Sequence, residues 1–127
     1  MPLVKINLRK GREAEVKVAI ADAVQAALVN VLGIPDADRY AVINELDGEH
    51  FIHTPAYLDL KYSEDLLMIE ITFIEGRPDE TKKELLKDLN RRLTATGHVR
   101  EDDVFVMIYE VGKANVSFGK GLAQRAL

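Results

Sequence analysis

The chain has 127 residues, 47% apolar and 30% charged, which suits one ordinary domain over residues 1–127 with a real core and a solvated surface. It has no cysteine, which excludes disulfides and thiolate chemistry, and no apolar run near the roughly 20 residues that span a bilayer. A net charge of −4 with scattered basic residues argues against nucleic acid as the main partner, and the start MPLVKINLRKGREAE lacks a signal peptide's apolar stretch, so a cytoplasmic protein without membrane attachment is expected.

Val4, Ile6 and Leu8 alternate with Lys5 and Asn7, which predicts a half-buried strand. A long helix follows over Glu13 to Leu32, with apolar positions Val16, Ile20, Ala23, Val24, Ala27, Leu28 and Val31 at helical spacing. Gly33 ends it and Pro35 keeps it from resuming. A second strand is predicted over Tyr40 to Leu46. The stretch Asp47 to Asp65 reads as a connector with room for short strands. Leu67 to Ile74 is a third strand, and Pro78 opens a second helix where its missing N–H costs nothing. Leu85, Leu86, Leu89 and Leu93 form the buried stripe of that helix, which Gly97 ends. Val104 to Val111 is the fourth strand, and the glycine-rich tail from Gly112 reads as irregular.

These elements repeat. Gly11-Arg12 recurs as Gly76-Arg77, 65 residues on, and the same offset lays Leu3–Leu8 over Met68–Phe73 and Asp38–Ile43 over Asp103–Ile108 without a gap. The chain is therefore expected to be a duplicated β-α-β unit, with repeats over about 2–46 and 67–111. Right-handed crossovers make the strands parallel within each copy. The expected fold is an α/β (α+β) protein: a four-stranded mixed sheet with two helices on one face. The other face carries Leu3, Lys5, Asn7, Met68, Glu70 and Thr72, a mixture that suits a partly wet subunit interface and predicts an oligomer.

Pro2 is the first candidate for chemistry. Methionine is normally removed before so small a residue, and an N-terminal proline then carries a secondary amine. Desolvation and nearby cations lower the pKa of such an amine toward working pH, where it can move protons. The plainer alternative is that Pro2 only permits methionine removal. Pro2 opens the first strand, and Asp38 and Arg39 precede the second, so all three fall on one sheet edge. Pseudo-two-fold symmetry brings Arg77 to that edge as well, at a helix start where a guanidinium can grip a carboxylate. Asp38 could instead serve as a turn residue paired with Arg39, and Arg77 as a solvated helix start. His50 and His53 stand near Asp47 and Glu49, yet no second cluster completes a metal site. The glycines of Ser117–Gly121 lack the strand–loop–helix setting of a phosphate loop.

The chain resembles the tautomerase superfamily, and within it the malonate semialdehyde decarboxylase branch. The resemblance rests on Pro2-Leu3, the run Ala19–Val24, Ile34-Pro35 before Asp38-Arg39-Tyr40, Gly76-Arg77 with Glu80-Thr81-Lys82, and Ser117-Phe118-Gly119 with Gly121, Ala123 and Gln124. It implies a homotrimer with a site at each subunit boundary, acting on a small carboxylate substrate with no metal or organic cofactor. By that resemblance Pro2 is the catalytic proline, Asp38 orients or activates a water or proton, and Arg77 binds the substrate carboxylate. Arg39 and Phe118 join Arg77 as candidate substrate-binding residues. Two departures stand out: many members of the branch carry a further arginine where this chain has Phe73-Ile74-Glu75-Gly76, and tryptophan where it has Val116. The implied chemistry is keto–enol tautomerisation or decarboxylation of a small keto or semialdehyde acid. A non-catalytic ferredoxin-like module, binding a ligand or another subunit with Met1 still attached, is the competing reading.

Overall fold

A computed structural model describes residues 1–127. Strand β1 (Leu3–Arg9) leads through α1 (Ala14–Leu32) to β2 (Tyr40–Leu46). A connector holds the two-residue strands β3 (Ala56–Tyr57) and β4 (Leu60–Lys61), paired as a small hairpin. The second copy follows as β5 (Leu67–Ile74), α2 (Asp79–Ala95) and β6 (Val104–Val111). The main sheet has the order β2-β1-β5-β6, parallel within each copy and antiparallel where β1 meets β5.

The duplication extends to individual bonds. Leu3 pairs with Tyr40 in one half and Met68 with Phe105 in the other, the same register 65 residues on. The Lys10 N–H donates to the Leu46 carbonyl at 2.9 Å, and its counterpart Glu75 donates to Val111 at 2.9 Å. Lys17 reaches Glu45 as Lys82 reaches Glu110. Gly11 and Gly76 hold φ of 118° and 124°, a region that L side chains rarely enter, so the Gly-Arg repeat marks a turn that only glycine makes without strain.

Alternation in the strands sorts the two faces. Val4, Ile6 and Leu8 of β1 and Leu67, Ile69, Ile71 and Phe73 of β5 are buried. They pack against Ile20, Val24, Ala27 and Leu28 of α1 and Leu85, Leu89 and Leu93 of α2. Burying each such side chain stabilises the fold by about 1.5–3 kcal/mol. Leu86 corrects the expected stripe: it is exposed, because a helix turns about 100° per residue and Leu85 already holds the inward direction. Asp88 is buried there instead, bonded to Asn30 of α1 and to Arg91 and Arg92. Pro78 sits at the N-cap, one residue before the first helical position.

The outer face of the sheet is mixed. Asn44 donates to Asn7, which donates in turn to the Met68 carbonyl and to Glu70. Around this polar seam Leu3, Tyr40, Val42, Phe105, Met107 and Tyr109 remain exposed. No helix is long and apolar enough to cross a membrane.

Candidate active site

The ends of β1 and β5 meet with Leu3 opposite Thr72, so the chain's first residues and the segment after Ile74 share one edge of the sheet. A cavity of about 490 Å³ opens there, within the roughly 300–1,000 Å³ common for ligand sites. Its wall includes Met1, Asp38 and Arg77 together with Ile34 and Pro35 of the loop after α1. Two tail residues, Lys113 and Arg125, complete its charged side.

Asp38 is held by its backbone. Gln25, buried in the otherwise apolar stripe of α1, donates from Nε2 to the carbonyls of Asp36 at 3.1 Å and Asp38 at 3.0 Å. The half-buried Asp38 carboxylate accepts from the Met1 amino group. Pro2 lies buried directly behind Met1, its nitrogen in the peptide bond to it. The guanidinium carbon of Arg77 lies 5.0 Å from the centre of the Phe73 ring, which is fully buried and so gives the cation a fixed floor. Asp79 and Glu80 already complement the N-terminal end of α2, so anion attraction here rests on the guanidinium and not on the helix dipole.

A second, mainly apolar cavity of about 240 Å³ lies alongside, lined by Met1, Leu3, Tyr40, Val116, Ser117 and Phe118. Met1 is the wall that the two cavities share. The Phe118 ring stands 6.4 Å from that of Tyr40. The tail that carries it is ordered: the Phe118 N–H donates to Gln124 Oε1 at 3.0 Å and Gln124 Nε2 donates to the Gly119 carbonyl at 2.9 Å.

Asp38 and Arg77 thus line one cavity, and Phe118 lines its neighbour. Arg39 lines neither; it turns back over α1 and pairs with Asp22 at 2.8 Å instead of Asp38. The two connector histidines do not converge. His53 Nδ1–H donates to the Thr54 carbonyl at 2.7 Å, and its Nε2 accepts from Arg9 at 3.2 Å. His50 stays exposed beside Asp47 and Glu49. Sequence reasoning did not single out Gln25, Lys113 or Arg125, and it named Tyr40 only within the Asp38-Arg39-Tyr40 run. Only Gln25 left a signal, as a polar residue inside an apolar stripe.

Comparison with known proteins gives the family. A family model described as tautomerase enzyme matches residues 38–119, and a second of the same description matches residues 2–60. The chain belongs to the tautomerase superfamily. The probable tautomerase YusQ of Bacillus subtilis (strain 168) is 30% identical, over 98% of this chain and 98% of that protein. Among solved structures, FG41 malonate semialdehyde decarboxylase inhibited by 3-bromopropiolate is 36% identical, with a TM-score of 0.89 over 98% of this chain and 94% of that one. A malonate semialdehyde decarboxylase studied as wild type, a proline-to-alanine mutant and the inactivated enzyme is 27% identical, with a TM-score of 0.89 over 98% and 95% of the two chains. These matches support a tautomerase-superfamily enzyme and do not favour the non-catalytic module.

Proposed function

We propose that the chain is an N-terminal-proline enzyme that tautomerises or decarboxylates a small keto or semialdehyde acid. The observation that carries this reading is the meeting of the chain's own amino terminus with Asp38 and Arg77 in one cavity. Removal of Met1 leaves the Pro2 amine about 3 Å from the place the Met1 nitrogen now holds, given standard backbone dimensions. It also takes away the shared wall, so the charged cavity opens into the apolar one. The product is one pocket with a cationic end and a side formed by Tyr40, Val116 and Phe118.

In tautomerisation the neutral Pro2 nitrogen takes a proton from the carbon next to the substrate carbonyl. The electron pair of the broken C–H bond moves into an enolate, whose oxygen receives the proton back from Pro2 to give the enol; ketonisation of an enol runs the same transfer in reverse. Asp38 accepts a hydrogen bond from the protonated amine while it holds that proton. In decarboxylation, protonated Pro2 polarises the β-carbonyl, and the electrons of the breaking C–C bond enter it as carbon dioxide leaves. Arg77 holds the substrate carboxylate in either case.

The exposed apolar residues around the sheet's polar seam suit another copy of the chain better than bulk water, which supports self-association, and a homotrimer is its proposed form. Sedimentation equilibrium tests that assembly. The chemistry is tested with protein that begins at Pro2, assayed on phenylpyruvate enol and on malonate semialdehyde. Turnover of at least one, lost in Pro2→Ala, is the expected result. No turnover of either, or equal rates in the variant, would end the proline reading.

A further inference from the structure

The candidate site holds more positive charge than one carboxylate requires. Arg77, Lys113 and Arg125 line the same cavity as a single carboxylate, Asp38. None of these three cations has an ion-pair partner, while Asp38 is taken by the chain's amino end. The surplus is not a general habit of this protein, which carries more acidic than basic residues. Arg9 spends its guanidinium on the carbonyls of Phe51 and Glu64. Arg12 and Arg39 are engaged by Asp65 and Asp22, Arg91 and Arg92 by Asp88, and Arg100 by Asp103. Arg77 and Arg125 are the two arginines left without a polar partner, and both line this cavity.

Their placement is built in. Gln124 fastens the tail loop through two hydrogen bonds, and Arg125 follows it directly in a short 3₁₀ turn. Lys113 begins the turn after β6, whose last residue is tied to Glu75 two positions before Arg77. Two tail segments thus bring cations to the cavity that Asp38's loop also lines. Like charges gathered in a partly enclosed space repel one another, and an anion relieves that cost.

We propose that Lys113 and Arg125 form a second anion subsite and that the substrate is a dianion: a keto or semialdehyde acid with a second acidic group at its far end. With a neutral Pro2 amine, three cations against Asp38 leave two positive charges, which a dicarboxylate cancels and a monocarboxylate does not. Arg77 holds the carboxylate near the reacting carbonyl, and Lys113 with Arg125 holds the distal one. The two residues set specificity by charge and distance and take no proton. The chemical part of this inference rests on the Pro2 reading; the binding part does not.

The test uses protein that begins at Pro2 and two five-carbon keto acids, 2-oxoglutarate and 2-oxopentanoate, which differ in the distal carboxylate. Calorimetric titration measures the binding of each, and NMR in deuterium oxide measures exchange of the protons next to the keto group. Binding of the dianion about tenfold tighter or more is expected, since tenfold corresponds to only about 1.4 kcal/mol and a charge-assisted pair is worth as much. In the double variant Lys113→Gln/Arg125→Gln that ratio falls toward one. Lys83→Gln/Lys87→Gln, which removes two exposed lysines of α2, keeps the ratio and so controls for net charge. Equal binding of the two acids by the unaltered protein, or a preference that survives loss of both cations, overturns the subsite. Absence of exchange with either acid while the preference persists removes proton abstraction by Pro2 from such acids and leaves the subsite standing.

Discussion

Asp38 and Asp103 stand 65 residues apart at equivalent places in the two halves, yet they receive different parts of the chain. The Asp38 carboxylate accepts from the Met1 amino group. The Asp103 carboxylate accepts from the Ser63 backbone N–H at 2.8 Å, from the Ser63 hydroxyl and from Arg100. Arg12, the counterpart of Arg77, is turned onto the connector as well and donates to the Asp65 carbonyl at 2.6 Å. Pro2 has Leu67 as its counterpart, which lies inside a continuous chain and has no free amine. The duplication thus produced two similar edges, and the connector fills one of them. The other Nη of Arg12 is buried without a partner, a residual cost at the filled edge.

This difference separates stability from activity. Asp103→Ala removes a buried carboxylate, leaves the half-buried Ser63 donors and Arg100 without it, and is expected to cost about 1–3 kcal/mol. Urea denaturation followed by far-UV circular dichroism checks it. Asp38→Asn, on the partly open edge, is expected to shift the denaturation midpoint less while it lowers turnover. The reverse ranking would mean that the two aspartates do not divide these roles.

Pro2→Ala is expected to lower kcat by about 10²–10⁴-fold, the usual contribution of a positioned acid–base group. An N-terminal extension that acylates Pro2 should lower it as far, and proteolytic release of the extension should restore it. Steady-state kinetics before and after cleavage give the answer, and mass spectrometry confirms the new terminus.

Arg77→Lys keeps the charge but loses the planar fork that pairs with a carboxylate through two parallel bonds. A loss of about 10–10²-fold in kcat/KM is expected, from about 1.5–3 kcal/mol for a charge-assisted bond. Arg39→Lys, which touches only Asp22 across an exposed surface, should stay within a factor of about two, because exposed pairs contribute roughly 0–1 kcal/mol. Parallel kinetics on both variants check the contrast.

Leu89→Ala removes a fully buried side chain from α2 and is expected to cost about 2–5 kcal/mol. Leu86→Ala, three residues earlier on the exposed side, should change stability by about 0.5 kcal/mol or less. Two urea curves decide the point, and similar losses in both would place Leu86 in the core.

The two β-α-β copies, their ends and their opposed directions in the sheet are legible in the sequence alone. Strand alternation, helical spacing and the Gly-Arg turns are short-range patterns, and each element reads its own stretch of chain. The same patterns gathered Pro2, Asp38 and Arg77 on one edge, since strand direction alone sets which ends meet. Tertiary structure alone decided that Leu86 faces water, that Arg39 turns to Asp22 and that the connector fills the second edge. It also decided that Lys113 and Arg125 reach the cavity of Asp38. Those placements depend on loop paths fixed by single hydrogen bonds, such as those of Gln25 and Gln124, between residues whose spacing carries no period.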